Sequence, residues 1–241
     1  MSAAVDQLVD LARRARDVVN RLFPRLAITF RRRLPGRFQP YSHTAPDRYP
    51  WLFHAARSQI GNPPGLRILS FGCSRGDEVF ALQRYFPTAE LRGIDIDPLN
   101  IATCRARARA QAQTQTRTSF EAAATLDGEP AEAYDAIFCL AVLCHGDLTV
   151  RGARSCEPLM RFDDFEATVA GFARCLKPGG LLFLHTTNFR FCDTASARDF
   201  DVTFEADAVN MAPDLQFDRN NRLIPGERYR AVAFRKRNQP T

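Results

Sequence analysis

Residues 68–78, ILSFGCSRGDE, contain the pattern that decides the fold. The apolar beginning of this stretch is typical of a buried strand, Gly72 and Gly76 predict a tight turn, and Asp77 and Glu78 open a helical pattern. A strand that runs through such a turn into a helix presents backbone N–H groups at the carboxyl end of the strand. Since glycine has no Cβ, the backbone there can approach a ligand closely. The stretch therefore predicts a ligand-binding loop at the edge of a parallel sheet.

The next predicted strand, 90–95, ends in Asp95, 19 residues after Gly76. This is close to the spacing of about 20 residues at which a carboxylate accepts hydrogen bonds from ribose hydroxyls. A dinucleotide-binding loop would read G-x-G-x-x-G, but its third glycine falls on Asp77, whose charge opposes a pyrophosphate. The tighter G-x-S-x-G spacing indicates a ligand with a sugar and a base but no phosphate.

Around this loop, strands alternate with helices, which predicts a parallel sheet covered on both faces. Strands are predicted at 67–71, 90–95, 119–122, 134–140 and 181–185, and helices at 77–86, from Pro98 onward, and at 163–176. Residues 178–180 predict a turn before the fifth strand. Residues 222–235 predict a hairpin-like tail that ends in a strand at 229–234.

Four motifs in this order resemble those of the class I S-adenosylmethionine-dependent methyltransferases. They are LSFGCSRG at 69–76, GIDID at 93–97, YDAIFCL at 134–140 and LKPGGLL at 176–182. The resemblance implies an α/β fold, a Rossmann-like sandwich of seven strands, with S-adenosyl-L-methionine as the cofactor. It also implies that the cofactor is bound by residues of the glycine loop and of the following strand ends, namely Gly72, Cys73, Ser74, Gly76, Glu78, Asp95, Ile96 and Leu140.

The sequence departs from the family's pattern in two places. In the first motif, Ser70 stands where an acidic residue usually opens it, and Ser74 stands at its middle glycine. After the third strand, residues 122–124 are all alanine where a carboxylate usually binds the adenine amino group. We therefore expect Glu78 or backbone groups to take part in binding the cofactor.

Two other functions fit parts of this pattern. The five residues 72–76 also match the G-x-S-x-G turn of serine hydrolases, with Ser74 as the nucleophile. That fold needs strands and an oxyanion-hole loop upstream, which residues 1–65 do not suggest, and its triad would need Asp163 or Asp164 together with His185. The second alternative is a methyltransferase-like protein that binds the cofactor without catalysis.

Methyl transfer requires an aligned nucleophile and, where necessary, a group that removes its proton. His145 follows the fourth predicted strand and is the candidate catalytic residue, with a hydrogen-bonded structural histidine as the alternative. His185 ends the fifth strand and is more typical of a structural role. The long insertions 146–162 and 187–228 are expected to shape the acceptor pocket.

Residues 41–51 are rich in aromatic and polar side chains and come just before the first strand. They are interpreted either as a lid over the cofactor, with Tyr41 or Arg48 near its methionine part, or as an ordered loop packed beneath the sheet.

The net charge of +6 lies entirely in residues 1–40, which contain nine arginines and three aspartates. The remaining residues carry 24 basic and 24 acidic side chains, so no nucleic-acid partner is expected and a small-molecule acceptor is favoured.

Residues 3–23 predict an amphipathic helix. We divide the chain into an N-terminal helical extension, 1–40, and a methyltransferase domain, 41–241. The extension is interpreted as a lid or packing helix, with a membrane-surface helix as the alternative.

The seven cysteines form no C-x-x-C pair and are odd in number, so neither a zinc site nor a disulfide framework is expected. No apolar run approaches the roughly 18 residues of a membrane-spanning helix, and the N-terminus lacks the pattern of a secretory signal. These observations predict a cytoplasmic protein without a metal and without stable membrane insertion. They leave the oligomeric state open.

Overall fold

The structure is a computed structural model, and it describes residues 11, 38–39, 44–45, 47–111, 117–157, 159–212 and 214–238. In this part of the chain the helices are α1 (Pro50–Ile60), α2 (Asp77–Tyr85), α3 (Pro98–Ala110), α4 (Gly146–Val150) and α5 (Phe162–Cys175), with two short 3-10 turns at Phe191–Asp193 and Ala195–Asp199. The strands are β1 (Arg67–Phe71), β2 (Glu90–Asp95), β3 (Arg117–Ala122), β4 (Tyr134–Leu140), β5 (Leu176–His185), β6 (Phe200–Glu205) and β7 (Ala231–Lys236).

The strands form a sheet in the order β3-β2-β1-β4-β5-β7-β6. The first five are parallel, and β7 runs antiparallel to both β5 and β6. The chain winds outward in one direction from β1 to β3 and in the other from β4 onward. At such a switch point the carboxyl ends of neighbouring strands leave a crevice for a ligand, here between β1 and β4. The predicted seven-stranded Rossmann-like sandwich is confirmed.

Both faces of the sheet are buried, as a parallel sheet flanked by helices requires. Successive residues of β1 alternate between the two sides, so that Ile68 packs in the layer with α1 and α2 while Leu69 packs in the layer with α5. The stripe predicted on α5 is fully buried at Phe165, Val169 and Phe172. Burying a side chain of this kind contributes roughly 1.5–3 kcal/mol, so these two layers hold the strand ends in place.

Several elements differ from the sequence-based expectation. Helix α4 (Gly146–Val150) lies in a stretch that was predicted only as an insertion. Helix α1 was not predicted, although Pro50 stands at its first turn and Gly61 follows its last residue, both typical boundary residues. Strand β6 was not predicted either, and it replaces the expected hairpin partner of β7. Residues 177–180 form no separate turn but an irregularity within β5, since the register passes from Tyr134–Leu176 directly to Ala136–Leu181.

The predicted helix at 3–23 lies outside the described residues, apart from Leu11. The division of the chain at residue 40 stays a prediction. Phe38, which precedes this boundary, is 6% exposed and packs in the layer with α5.

Candidate cofactor site

A cleft opens at the carboxyl ends of β1, β2 and β4, and encloses about 920 Å³ of space, part of it open to solvent. Seven of the eight predicted cofactor residues line it: Gly72, Cys73, Ser74, Glu78, Asp95, Ile96 and Leu140. Gly76 is placed differently. It is the N-cap of α2 with φ +87°, and a Cβ there would lie 2.9 Å from Phe80 Cε2. Gly76 therefore permits close packing beneath the loop.

The glycine loop is tied to β2. The backbone N–H groups of Gly72 and Cys73 both donate to the carbonyl of Ile94, at 2.7 and 2.9 Å. Gly72 has φ +75°, and a Cβ at this position would lie within 2.9 Å of Val142 Cγ1. Since Val142 follows β4 and also lines the cleft, Gly72 lets the β1 and β4 ends meet at the cleft floor.

Ser74 occupies the middle of the loop, where the family more often carries glycine. Its φ of +50° lies in the left-handed region, which costs a non-glycine residue roughly 1–2 kcal/mol. The residue is 8% exposed, and nothing among the described residues hydrogen-bonds to its Oγ. A buried hydroxyl that faces a cleft without a partner is suited to a ligand that supplies one.

The carboxylate of Asp95 joins the loop to the end of β2. Its Oδ2 accepts from the backbone N–H of Ser74 at 2.8 Å, and its Oδ1 accepts from the N–H of Asp97 at 2.9 Å and from Asn100 Nδ2 at 3.0 Å. Burial raises the pKa of Asp95 while these donors lower it. A carboxylate offers about four acceptor directions, so Asp95 retains capacity for one further donor such as a ribose hydroxyl.

Glu78 brings a carboxylate from α2 to the position where β1 carries serine. Its Oε1 accepts from Ser70 Oγ at 2.7 Å. Burial raises the pKa of Glu78 from 4.5 to about 7, against the lowering effects of the Ser70 hydrogen bond and the Arg48 charge. The structure thus places a buried carboxyl group beside the residue that departs from the family's first motif.

The wall after β3 is apolar. Ala123 and Ala124 line the cleft there, and their side chains offer no hydrogen bond to an adenine amino group. Ile96 and Leu140 line the same cleft. A base bound at this end would be held mainly by apolar contact and by backbone groups.

The described part of the segment before α1 lies at the cleft and not beneath the sheet. Asp47, Arg48 and Tyr49 all line the cleft, and Asp47 pairs with Arg84 of α2. The guanidinium of Arg48 lies 5.1 Å from the Tyr49 ring centroid. This placement favours the lid interpretation for Arg48, while Tyr41 and His43 lie outside the described residues.

The two histidines that follow strands have different surroundings. His145 is 2% exposed, precedes α4 and donates its backbone N–H to Asn188 Oδ1 at 2.7 Å. It is not among the described residues that line the cleft, so the structure does not bring this catalytic candidate to the site.

His185 instead makes edge contacts with Tyr49 and Trp51, with ring centroids 5.1 and 5.3 Å apart. Burial, with the Arg48 charge, lowers the pKa of His185 from 6.5 to about 4, so this ring is neutral at pH 7.

The serine hydrolase alternative has no assembled triad among the described residues. A catalytic serine needs a base within hydrogen-bond reach, and Ser74 Oγ has no such partner there. Asp163, one of the proposed triad members, is a largely exposed residue of α5 that pairs with Arg161.

Sequence reasoning missed a group of polar residues beyond β5. Asp214, Gln216 and Tyr229 line a small pocket together with His185 and Thr186. The insertion that carries Asp214 and Gln216 was predicted only as a wall of the acceptor pocket, and no motif in it distinguishes these two side chains. Asp214 and Gln216 reach this pocket only through the path that the insertion takes in the folded chain.

The sequence around this site is similar to a known family. Residues 69–182 match a family model described as a methyltransferase domain. This similarity agrees with the expected class I methyltransferase domain and with S-adenosyl-L-methionine as its cofactor.

Solved structures similar to this chain include a methyltransferase from Geobacter sulfurreducens in complex with S-adenosyl-L-homocysteine, at 20% identity over 59% of this chain and 50% of that one, with a TM-score of 0.39. Phosphoethanolamine N-methyltransferase 2 from Haemonchus contortus has 13% identity over 69% and 32%, with a TM-score of 0.42. Geranyl diphosphate C-methyltransferase from Streptomyces coelicolor has 17% identity over 57% and 45%, with a TM-score of 0.40. The chain thus spans half or less of each of these proteins. No curated protein sequence matches it.

The described residues contain neither a metal-binding cluster nor a membrane-spanning helix. No group of three or more His, Cys, Asp or Glu side chains in these ranges is arranged to hold a metal ion. None of the helices in the same ranges combines the length and the apolar character needed to cross a membrane.

Proposed function

We propose that this protein transfers a methyl group from S-adenosyl-L-methionine to a small-molecule acceptor in the cytoplasm. The observation that carries the proposal is the cleft at the switch point of the sheet, where Gly72, Ser74, Glu78 and Asp95 converge. The balanced charge of residues 41–241 supports a small acceptor over a nucleic acid, which proteins bind through clustered basic residues.

The residues present fit this cofactor. The unpartnered hydroxyl of Ser74 and the remaining acceptor capacity of Asp95 are suited to its polar parts, with Asp95 accepting from the ribose hydroxyls. Glu78 supplies a negative charge for the cationic methionine part. Ile96 and Leu140 supply apolar contacts for the base. When bound, the cofactor supplies an electrophilic methyl group on a sulfonium.

The chain's own contribution to the reaction is alignment and exclusion of water. The fold itself holds the loop in position, because Ile94 and Asp95 accept hydrogen bonds from the four backbone N–H groups of residues 72, 73, 74 and 97. A reactant that is held in one orientation loses less entropy at the transition state. Arg48 and Tyr49 line the same cleft as the loop, and their side chains would help to exclude water from the reacting atoms.

Isothermal titration calorimetry with S-adenosyl-L-methionine and S-adenosyl-L-homocysteine tests the binding step. We expect both to bind the wild-type protein, and Glu78→Gln to weaken binding at pH 8. Glu205→Gln is the matched control, because Glu205 lies in β6 with its side chain 57% exposed. A protein that binds neither compound would contradict the proposal.

A second assay separates catalysis from binding alone. Release of S-adenosyl-L-homocysteine is followed over a panel of small amines, phenols, thiols and carboxylic acids. Turnover on any member supports the enzyme. Tight binding with no turnover across the panel would favour the alternative of a cofactor-binding protein without catalysis.

A further inference from the structure

The lining of the cofactor cleft changes from carboxyl groups to apolar side chains along the edge of the sheet. Glu78 contacts Ser70 of β1 at 2.7 Å, Asp95 ends β2, and Ala123 and Ala124 follow β3. These three strands are consecutive in the sheet, and neighbouring strands lie about 4.8 Å apart. The cleft therefore has a carboxyl end at β1 and an apolar end at β3, with Asp95 between them.

The parts of S-adenosyl-L-methionine follow one another in the same order. Its amino acid part carries the ammonium group, its ribose carries two hydroxyls, and its base has apolar faces. In the proposed function the ammonium group lies near Glu78 and the ribose hydroxyls donate to Asp95. The base is attached to the far side of the ribose, so it then extends from Asp95 towards β3.

The pairing of β2 with β3 fixes the wall at this apolar end. Asp95 and Ala122 are register partners, and the backbone N–H of Ala123 donates to the carbonyl of Asp95 at 3.1 Å. Ala123 and Ala124 are thus the first residues beyond Asp95 on the neighbouring strand, and both line the cleft. Ile96, the residue after Asp95, lines it as well. Three apolar side chains therefore border the place of the base.

The carboxyl groups that line the described part of the cleft have partners away from this wall. Asp47 pairs with Arg84 of α2, and Glu78 accepts from Ser70 of β1. Asp95 is the third, and no other Asp or Glu among the described residues lines the cleft. A base beside the alanines therefore meets no carboxylate except the one that holds the ribose.

The acidic residues close to the wall in the sequence do not line the cleft either. Glu121 pairs with Arg92 of β2. Asp127 is exposed and accepts from Thr125 Oγ1 at 2.8 Å. Neither is placed to accept a hydrogen bond from a base in the cleft.

On the basis of the proposed function, we propose that the site does not recognise the 6-amino group of the base and accepts a cofactor that lacks it, with Ala123 and Ala124 as the determinants. Apolar contact with the faces of a purine is the same with or without this group. Ala122 and Thr125, which flank the two alanines, are exposed, so the amino group can keep its hydrogen bonds to water. A carboxylate at the wall would instead accept from the amino group, and such a bond is typically worth about ten- to a hundredfold in affinity.

Isothermal titration calorimetry on the full chain tests the proposal with two ligands. One is S-adenosyl-L-homocysteine, and the other is its analogue whose purine carries hydrogen in place of the 6-amino group. We expect the two dissociation constants to agree within about threefold, because no hydrogen bond to the chain is lost. A larger loss of affinity for the analogue would overturn the proposal, since some group of the chain would then accept from the amino group.

Ala123→Asp and Ala124→Asp, made separately, test whether the base lies at this wall. In at least one of them, S-adenosyl-L-homocysteine should bind about tenfold or more tightly than the analogue, because the new carboxylate accepts from the amino group. Ala122→Asp is the matched control, since it makes the same change at an exposed position that does not line the cleft. It should keep the wild-type ratio. Each ratio is taken within one variant, so changes in overall affinity cancel.

The possible outcomes distinguish this proposal from the proposed function. If S-adenosyl-L-homocysteine binds but neither Ala123→Asp nor Ala124→Asp changes the ratio relative to Ala122→Asp, the base does not lie at the alanine wall and the proposal is wrong, while the cofactor site stands. The wild-type ratio decides the question by itself if the aspartate variants fail to fold. A wild-type protein that binds neither ligand would instead contradict the proposed function.

Discussion

Replacing Glu78 by glutamine should make the ligand-free protein more stable and its cofactor affinity lower. Glu78 is a buried carboxyl group whose ionised form is unfavourable in the folded chain, which is why its pKa is raised from 4.5 to about 7. A glutamine has nearly the same shape, stays neutral, and can still accept from Ser70 Oγ. The substitution therefore removes the cost of a buried charge and also removes the negative charge that a cationic cofactor would meet.

The magnitude follows from the linkage between pKa and stability. The folded pKa lies above the unfolded one, so the folded state binds more protons between them and its stability falls as the pH rises from 4.5 through 7. The difference of about 2.5 pKa units corresponds to about 3 kcal/mol, since one unit is worth about 1.4 kcal/mol. Between pH 5 and pH 8 the stability of Glu78→Gln relative to wild type should rise by about 2.5 kcal/mol.

Urea unfolding at pH 5 and pH 8 measures this change, and calorimetry with S-adenosyl-L-homocysteine at pH 8 measures the loss of affinity. Glu205→Gln, at an exposed position, should show no comparable dependence on pH. A stability difference between Glu78→Gln and wild type that stays constant over this range would refute the reasoning, because Glu78 would then be ionised equally in the folded and unfolded chains.

Three further substitutions test the loop. Gly72→Ala combines a left-handed backbone angle with a clash against Val142 and should destabilise by about 2–4 kcal/mol in urea unfolding; an unchanged midpoint would contradict the contact. Ser74→Gly relieves the strained angle but frees the unfolded chain, so the free energy of unfolding should change by less than about 1 kcal/mol, with affinity for S-adenosyl-L-homocysteine kept within a few-fold. Asp95→Asn places the amide donor of asparagine opposite a backbone N–H of Ser74 or Asp97, which should lower the free energy of unfolding by about 2–4 kcal/mol. A free energy of unfolding equal to that of the wild type would show that these hydrogen bonds contribute little.

Much of the fold could be predicted because the central strands are defined by local signals. Strands β1 and β4 are largely apolar, β1 is followed by Gly72, β2 ends at Asp95, and most residues of these three strands are buried. Strand β6 was not predicted because its residues are mostly half-buried or exposed and, among the described strands, it pairs only with β7, about 30 residues later in the chain. A pairing over that distance leaves no periodic signal in the sequence.

The candidate site, like the fold, could be predicted from the sequence only in part. The glycine loop and Asp95 could be recognised from their spacing, since 19 residues separate Gly76 from Asp95. The left-handed angle of Ser74 and the approach of Val142 to Gly72 could not, because each depends on how β4 meets β1. Asp214 and Gln216 reach their pocket through an irregular loop, whose path no local pattern specifies.

The position of β7 between β5 and β6 has a consequence for folding during synthesis. Strand β6 is synthesised before its partner, since 25 residues lie between Glu205 and Ala231. At about 5–20 residues per second, the synthesis of β7 follows that of β6 by roughly one to six seconds, and during this interval β6 and the edge of β5 are unpaired. Unpaired strand edges promote association between chains. A longer delay between the synthesis of β6 and that of β7 should therefore lower the yield of folded protein.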